Sequence, residues 1–385
     1  MSTLRTTNLQ APAASSPAIV LASDGTATAQ LSSLNGGALS GARNRIINGD
    51  MRIDQRNAGA SSTTTGGYTV DRFVFYASQS SKITIQQNAG SVTPPAGFSN
   101  YLGFTVSASA TVGSSDYFYF YQPIEGFNTA DLAFGSASAK TVTVSFWIRS
   151  SLTGTFGGSL NNGAFNRSYP FTYSISSANT WEYKTITITG DTSGTWLTNN
   201  GAGMVLSLSL GMGSTYATTA GSWTAGQYVS ATGATNLVAT NGATFYITGV
   251  QLEAGSVATP FERRSYGQEL ALCQRYYEKS YNIDVAPGTN NSSGLRQTWA
   301  GQVGSGTLYG GTHLFQVTKR VSPTLSYWTY DGTAGQWHYG VVGLSEAKAN
   351  ASTYLAGTSG FQVTVSPGVS GQNQTYGHFA ASAEL

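Results

Sequence analysis

Alternating aromatic side chains are the residues of this sequence best suited to ligand chemistry. The run from Asp116 to Gln122 reads Asp-Tyr-Phe-Tyr-Phe-Tyr-Gln, and a strand would place Tyr117, Tyr119 and Tyr121 on one face. Its phenylalanines are the better core residues, so we expect the tyrosines to face solvent or a groove. Aromatic faces bind the apolar C–H patches of sugar rings, and polar groups at their edge bind sugar hydroxyls. The run predicts either a glycan-binding surface or a face covered by another sheet or subunit.

Further glycan-binding candidates lie on a second strand and in a loop. The run from Lys140 to Arg149 also alternates, with its core-type side chains on one face and Trp147 and Arg149 on the other. We therefore expect Trp147 and Arg149 to line the same sheet surface as the tyrosines. Trp223 and Tyr228 lie in a Gly- and Ser-rich stretch, which makes them loop-borne candidates.

Charge is concentrated between residues 43 and 72, although the whole chain has only 19 basic and 17 acidic residues. The segment holds five arginines and three aspartates, namely Arg43, Arg45, Arg52, Arg56, Arg72, Asp50, Asp54 and Asp71. The pattern predicts arginine–carboxylate pairs that fix this segment to its surroundings, with Glu253 and Glu262 as further partners.

Signatures of catalysis are missing from the sequence. There is no Gly-x-Ser-x-Gly elbow, no lysine follows a glycine, and no two histidines have metal-ligand spacing. A polysaccharide depolymerase needs two carboxylates on opposite sides of the scissile bond. The candidate pairs are Asp116 with Glu125 and Glu182 with Asp191, and neither pair forms a motif. We therefore expect a protein that is not an enzyme.

Cysteine and histidine are scarce. Cys273 is the single cysteine, which excludes an internal disulfide and, with only three histidines, a cysteine-based zinc site. We expect His313, His338 and His378 to be ordinary surface or interface residues; the alternative is an ion site on an axis between subunits.

The composition favours an ordered, β-rich protein. Charged residues are 9% of the 385, whereas Gly contributes 47 residues and aromatics 12% of the chain, which is too many for a disordered protein. A net charge of +2 gives no basic excess for a nucleic acid. Apolar runs fall short of the ~20 residues that span a bilayer, so we expect neither membrane insertion nor secretion by a signal peptide.

Four segments follow from the pattern along the chain. Residues 1–42 lack aromatics and predict an extended attachment arm or a loose tail. Residues 43–262 contain many short alternating strands and predict an antiparallel jelly-roll β-sandwich. Residues 263–280 predict a linking helix, and residues 281–385 return to a Gly-rich pattern that predicts a C-terminal β domain. The fold class is therefore mainly β.

The linking helix has recognisable ends and one apolar stripe. Ser265 and Gln268 stand at capping-box spacing. The stripe follows at intervals of four, three and four, and consists of Tyr266, Leu270, Cys273 and Tyr277. It would pack either on an adjoining domain of the same chain or against other copies of the chain.

Several phrases resemble those of bacteriophage tail-fibre proteins. They are Arg43-Asn-Arg-Ile-Ile-Asn-Gly-Asp-Met-Arg-Ile-Asp-Gln-Arg56, Tyr68-Thr-Val-Asp-Arg-Phe73, Gly249-Val-Gln-Leu-Glu-Ala-Gly-Ser-Val-Ala-Thr-Pro-Phe-Glu262, Cys273-Gln-Arg-Tyr-Tyr277 and the ending Ala381-Ser-Ala-Glu-Leu385. The resemblance implies a structural virion protein, made in the host cytoplasm and placed in the tail. It also implies a homotrimer that attaches to a tail or baseplate protein through its N-terminus and binds a bacterial cell-surface polysaccharide.

The resemblance leaves three matters open. Carbohydrate-binding modules with a jelly roll often hold a structural calcium, for which Asp50, Asp71 and Glu253 are the candidate ligands here; no other cofactor is expected. A capsid decoration protein with the same module is the first alternative function. A polysaccharide depolymerase is the second.

Overall fold

The computed structural model of the chain describes residues 43–303, 306–340, 346–367 and 374–385, and three short strands before them. Those strands are β1 (Asn8–Leu9), β2 (Ile19–Leu21) and β3 (Ala27–Ala29), which pair antiparallel in that order. The rest of the predicted arm, residues 1–42, lies outside the described residues.

Two antiparallel sheets make up the sandwich that was predicted for residues 43–262. Its strands are β4 (Gly67–Tyr68), β5 (Val74–Ala77), β6 (Ile83–Gln87), β7 (Leu102–Val106), β8 (Tyr117–Glu125), β9 (Val142–Ser150), β10 (Gly154–Asn162), β11 (Arg167–Ile175), β12 (Glu182–Ile188), β13 (Ala202–Met212), β14 (Ala217–Thr218), β15 (Thr224–Ala225), β16 (Ser230–Ala231) and β17 (Thr244–Ala254). The seven-stranded sheet has the order β15-β11-β10-β13-β8-β5-β4, and the five-stranded sheet β12-β9-β17-β7-β6. Strands β14 and β16 form a separate parallel pair. The predicted jelly-roll sandwich is confirmed.

The core of the sandwich lies between the inner faces of the two sheets. On β9 every second side chain is fully buried, as the alternation predicted: Val142, Val144, Phe146 and Ile148. Phe120 on β8 is also fully buried, and its ring centroid lies 4.6 Å from that of Phe104 on β7, across the two sheets. Each such side chain contributes about 1.5–3 kcal/mol relative to exposure. Short 3-10 helices lie in the loops at Ala89–Ser91, Gly126–Asn128, Ala130–Leu132, Ser214–Tyr216 and Leu237–Ala239.

One α-helix, α1 (Tyr266–Gln274), follows the sandwich in the described residues. Ser265 Oγ accepts the Gln268 N–H, and the Gln268 side chain accepts the Ser265 N–H at 3.0 Å, so the predicted capping box is confirmed. Cys273 is fully buried against Ile47 and Ile53, which means that the helix packs on an earlier segment of its own chain. None of the helices in the described residues has the length and hydrophobicity that crossing a membrane would need.

The predicted apolar stripe of the helix is too long at both ends. Tyr277 is not helical: it begins strand β18 (Tyr277–Lys279), because its backbone pairs with Ser382. Tyr266 is 45% exposed, since it lies in the first turn, away from the buried cluster. Leu270 and Cys273 are therefore the members of the stripe that pack on the chain from the helix, whereas Tyr277 is buried from β18.

The C-terminal strands form one sheet that closes on itself. They are β18, β19 (Arg296–Val303), β20 (Thr307–Leu314), β21 (Thr324–Trp328), β22 (Gln336–Tyr339), β23 (Ala347–Ala356), β24 (Gly360–Val365) and β25 (Gln374–Ser382). The order is β18-β25-β19-β20-β24-β23-β22, and β22 pairs with β25 as well, while β21 pairs with β25. Trp337 is fully buried in its interior. A C-terminal β structure was predicted and is confirmed.

An ion cluster joins the sandwich to the end of the chain. Glu384 accepts a hydrogen bond from Arg56 at 2.9 Å and another from Arg72. Arg72 is 1% exposed, stacks over the Tyr276 ring at 3.6 Å and donates to the Pro123 carbonyl at 2.7 Å. We call Arg56, Arg72 and Glu384 the arginine clasp. Pairs of this kind were predicted for residues 43–72, but the partner of Arg72 lies 312 residues further along the chain.

The three histidines are interior residues, which corrects the expectation of surface or interface positions. His378 is fully buried, His338 is 2% exposed and His313 is 8% exposed. His378 Nδ1 lies 2.9 Å from Ser280 Oγ, and its Nε2 lies 2.8 Å from the Asn291 carbonyl oxygen. His338 and His378 directly neighbour the core residues Trp337 and Phe379 in their strands, so they lie on the other face of the sheet, where the rings of Tyr330 and Tyr281 stack on them.

Candidate functional site

An aromatic groove lies on the outer face of the five-stranded sheet. It has a volume of about 440 Å³, and we call it the Trp147 groove. Its lining residues are Phe98, Trp147, Tyr183, Gly249, Ala258, Thr259, Pro260, Phe261 and Arg263. Trp147 on β9 and Tyr183 on β12 are directly paired in the strand register, and their ring centroids lie 5.3 Å apart. With Tyr183 42% exposed, the two rings offer an apolar surface to solvent.

A glycine at an irregularity of β17 lets the rings approach the sheet. The pairing of β17 with β9 shifts register between Thr248 and Gln251, and Gly249 lies in that shift with a φ of +63°. A Cβ atom on Gly249 would come within 2.7 Å of the Phe98 ring and 3.3 Å of the Trp147 ring. The position therefore needs glycine for both its backbone conformation and the close packing of the floor of the groove.

A buried network holds the loop that forms one wall of the groove, residues 255–263. Glu253 accepts hydrogen bonds from Gln251 Nε2 at 2.7 Å, from the Thr259 N–H at 2.8 Å and from Thr259 Oγ1 at 2.6 Å. Gln251 Oε1 in turn accepts the Glu262 N–H at 2.8 Å. Arg43 pairs with Glu253 at 3.5 Å, which confirms Glu253 as a partner of the arginine-rich segment. The wall is thus fixed from beneath by satisfied polar groups.

Arg263 stands at the rim of the groove. Its guanidinium carbon lies 4.6 Å from the Phe98 ring centroid and 5.7 Å from that of Phe261. These two rings contact each other edge to face at 5.3 Å. A positive charge over aromatic faces is favourable by about 0.5–1 kcal/mol at an exposed site. The groove therefore has an aromatic floor and a charged edge.

Sequence reasoning found Trp147 but missed four of its neighbours, Phe98, Tyr183, Phe261 and Arg263. The sequence does contain a signal for Tyr183. Core-type and other side chains alternate in both runs, 140–149 and 181–189, and antiparallel pairing of the two runs places Tyr183 beside Trp147. No local pattern identifies Phe98, Phe261 or Arg263, since loops bring them in.

Arg149 lies on the same outer face as Trp147 but outside the groove. Its Nε donates to the Asn179 carbonyl oxygen at 2.9 Å, and its guanidinium lies 5.4 Å from the Tyr246 ring centroid. Tyr246 packs with Tyr101 at 5.5 Å. Arg149 thus covers an aromatic cluster of its own chain.

The predicted tyrosine face exists, but on the other sheet. Tyr117, Tyr119 and Tyr121 belong to β8 of the seven-stranded sheet, whereas Trp147 and Arg149 belong to β9 of the five-stranded sheet. Because the two outer faces point in opposite directions, the expectation that all five residues line one surface is wrong. Strand alternation assigns a side chain to a face of its strand, but it does not say which sheet the strand joins.

The tyrosine face is covered largely by its own rings. Tyr76 stacks on Tyr117 at 5.3 Å, and Tyr119 stacks on Tyr121 at 5.5 Å. Tyr119 is 6% exposed, and burial raises the pKa of its hydroxyl. A cavity of about 120 Å³ is lined by Tyr76, Tyr117, Tyr119, Tyr216, Gln227 and Val229. Rings that face one another leave little aromatic surface for a sugar.

The loop-borne candidates have structural contacts. Trp223 contacts Trp196 at 5.4 Å and Tyr169 at 5.3 Å, and its Nε1 donates to the Thr189 carbonyl oxygen at 2.6 Å. Tyr228 is half-buried, and its backbone N–H donates to Ser168 Oγ at 3.0 Å. Trp223 therefore closes an edge of the core instead of standing free in a loop.

The carboxylates considered for catalysis are distant from each other and engaged. Asp116 and Glu125 lie at opposite ends of β8, about 30 Å apart at ~3.3 Å per residue, whereas glycosidases need about 5–9.5 Å. Glu125 pairs with Arg275 at 2.5 Å. Asp191 accepts two hydrogen bonds from one arginine, both at 2.7 Å, and Glu182 pairs with the nearby lysine at 2.6 Å. Asp116 and Glu125 therefore lack the geometry of an acid–base couple, and Glu182 and Asp191 are each paired with a cation of the chain.

The three candidate calcium ligands do not form one group. Asp50 pairs with Arg52 at 3.1 Å, and Glu253 belongs to the network beneath the groove. Asp71 accepts the N–H of Gln55 at 2.9 Å and its Nε2 at 2.5 Å, and burial raises its pKa to about 6. Among the described residues there is no group of three His, Cys, Asp or Glu that could hold a metal ion. Arginine or amide groups contact each of these carboxylates, and Asp50 Oδ1 is buried without a hydrogen-bond partner.

No family model matches this sequence, and no curated protein matches it either. Among solved structures, the chain is similar to the enzymatically active domain of tailspike protein 4 of bacteriophage CBA120, with 11% identity and a TM-score of 0.29 over 55% of this chain and 21% of that one. The chain thus spans about a fifth of the tailspike chain that it matches. It is also similar to a sugar-binding protein of Bacteroides thetaiotaomicron, with 11% identity and a TM-score of 0.31 over 55% of this chain and 99% of that one. A family 11 carbohydrate-binding module of Clostridium thermocellum, in complex with a mixed-linked β-1,3-1,4 tetrasaccharide, matches with 10% identity and a TM-score of 0.26 over 52% and 98% of the two chains. At these values no ligand, activity or assembly is carried over to this chain.

Proposed function

We propose that this protein binds a bacterial surface glycan in the Trp147 groove and does not cleave it. The observation that carries the proposal is the groove itself, which has a volume of about 440 Å³, a floor of partly exposed aromatic rings and the exposed Arg263 at its edge. Trp147 and Tyr183 provide the faces on which the C–H patches of a sugar ring can stack. Arg263 stands at the edge, where sugar hydroxyls need partners.

Rigidity supports the same use of the groove. Trp147 projects from a central strand of the five-stranded sheet, and the facing loop is held by the Glu253 network. A preformed site binds without the entropic cost of ordering its side chains. The tyrosine face of the other sheet is a weaker candidate, because its rings stack on one another.

In the proposed role the protein is a tail fibre of a bacteriophage. The phrases quoted above carry this part, and they imply a homotrimer that residues 1–42 attach to a tail or baseplate protein. Three copies of a weak glycan site on one particle would strengthen attachment through avidity without any new contact. In this proposal the virion tail is the location and a cell-surface polysaccharide is the partner.

Binding of the full-length protein to an array of bacterial surface polysaccharides tests the proposal. Wild type is expected to bind at least one polysaccharide, and Trp147→Ala is expected to weaken that binding roughly 30-fold, since a central aromatic anchor contributes about 2 kcal/mol. Tyr121→Ala is the matched control, because it removes an aromatic ring from the opposite face of the sandwich and should leave binding unchanged.

Two results would contradict the proposal. Equal binding of the polysaccharide by wild type and Trp147→Ala would show that the Trp147 groove is not the glycan-binding site. Release of reducing ends from the bound polysaccharide on prolonged incubation would make the protein a depolymerase.

A further inference from the structure

Arg263 lies where two grooves meet. It contributes to the rim of the Trp147 groove and also to a second groove of about 740 Å³, which runs along α1. The second groove is lined by Glu262, Arg264, Gln268 and Arg275, among others. A polymer lying across the Trp147 groove would therefore pass Arg263 and find room for further units beyond it.

Two other arginines of the second groove are neutralised by carboxylates, but Arg263 is not. Arg264 lies 3.2 Å from Glu262, and Arg275 forms its bidentate pair with Glu125. Within the part of the chain that the structure describes, no carboxylate forms an ion pair with Arg263.

Asp50 is close enough to sense the charge of Arg263, but it forms its ion pair with Arg52. In a protein with so few charges, the exposed guanidinium of Arg263 is an open position for an anion.

The guanidinium of Arg263 is also held in place. It rests over Phe98 and Phe261, and a Cβ atom added to Gly97 would lie 3.1 Å from its Nη2. Contacts with the faces of the rings leave the N–H groups at the edge of the guanidinium plane directed outward. Such a planar fork matches the two oxygens of a carboxylate and forms two parallel hydrogen bonds with it.

We propose that the glycan is acidic, and that Arg263 binds a carboxylate of the sugar unit adjoining the one stacked on Trp147. The proposal rests on the proposed function, whose groove it uses. The ligand class is a polysaccharide that contains uronic acids. The aromatic floor supplies affinity for the sugar ring, and Arg263 selects the charged unit over its neutral counterpart.

A chemically matched pair of ligands tests the inference. Surface polysaccharides bound by the full-length protein on the array are compared before and after methyl esterification of their carboxylates, and a teichoic acid serves as the phosphate-bearing probe. Wild type is expected to bind the free acid at least 10-fold more tightly than the ester, because esterification removes the charge and one acceptor oxygen of the bidentate pair.

Two variants assign the selectivity to Arg263. Arg263→Met keeps much of the apolar contact with the phenylalanines and should bind acid and ester equally. Arg149→Met is the matched control on the same face, and it should keep the preference for the acid, because Arg149 lies outside the groove.

Each part can fail separately. Equal binding of acid and ester by wild type, combined with loss of binding in Trp147→Ala, would overturn the acidic glycan and leave the proposed function standing. Tighter binding of the teichoic acid than of every uronic acid polymer would overturn the proposal that Arg263 binds a carboxylate, and would indicate a phosphate ligand. Loss of acid preference in Arg149→Met but not in Arg263→Met would overturn the assignment of the residue.

Discussion

Replacement of Glu384 by alanine should destabilise the protein through the arginine clasp. Glu384 is the shared carboxylate of Arg56 and Arg72, and its side chain is 8% exposed, against 1% for that of Arg72. Burial by itself lowers the pKa of Arg72, but the Glu384 carboxylate and the Tyr276 ring raise it overall, so the guanidinium stays charged. Removal of Glu384 would leave that charge buried without its counter-ion.

The expected cost follows from what the arginines retain. Loss of one partner of a buried pair costs about 3–5 kcal/mol. Arg72 keeps the Pro123 carbonyl and the Tyr276 ring, and Arg56 keeps Asp71 at 3.9 Å, so the value should fall near ~3 kcal/mol, at the lower end.

Equilibrium urea unfolding, followed by tryptophan fluorescence, measures the change in the free energy of unfolding. Asp131→Ala is the matched control, because Asp131 pairs with Arg45 at 2.8 Å but is 49% exposed, and such pairs contribute about 0.2–1 kcal/mol. Glu384→Gln, which keeps one acceptor oxygen, should fall between the two. If Glu384→Ala lowers the free energy of unfolding no more than Asp131→Ala does, the clasp does not hold the two parts of the protein together.

Three further outcomes are expected. Gly249→Ala should weaken glycan binding and lower stability by at least ~1–2 kcal/mol, because a Cβ there meets Phe98 and alanine is strained at a φ of +63°; unchanged binding would contradict the role given to the register shift. Burial lowers the pKa of His313 from 6.5 to about 4, so stability is complete above pH 6.5 and falls by up to about 3 kcal/mol as the pH drops to 4. His313→Phe should flatten the pH dependence of urea unfolding in that range, and an unaltered profile would show that other groups cause it. Ser265→Ala should lower the melting temperature slightly, through a cost of about 1 kcal/mol for the lost cap, and an unchanged value would mean that the Gln268 contacts suffice without the serine.

Much of the local structure could be predicted from the residues. The alternation in β9 identified Val142 and Ile148 as core residues, and the capping-box spacing identified the start of α1 at Ser265. Both patterns extend over a few residues. The first reflects burial of one strand face and the second reflects hydrogen bonding of the first N–H groups of a helix, and both effects are local. The end of α1 was missed because a strand pairing with residues near the C-terminus overrides the helical pattern at Tyr277.

The candidate site could be predicted only in part. Trp147 was identified because its position on the strand showed that it points away from the core. Phe98, Phe261 and Arg263 could not be identified, because they lie in loops. No periodic pattern in the sequence indicates which part of the sheet a loop contacts. The separation of Asp50, Asp71 and Glu253 could not be predicted for a related reason: nearness in sequence concentrates charges, but the tertiary contacts decide which carboxylate meets which arginine.

Composition and period-two alternation were enough to predict an ordered, mainly β protein with a sandwich, one short helix and a second β unit, because they reflect how each strand buries one face. Which strands share a sheet, and so which aromatics share a surface, could be read from the folded chain alone. The tertiary contacts separate Trp147 from Tyr119, join Arg72 to Glu384, and place Arg263 over the Phe98 ring at the aromatic groove. These are contacts between residues far apart in the chain, and they depend on the order of strands across the whole sandwich.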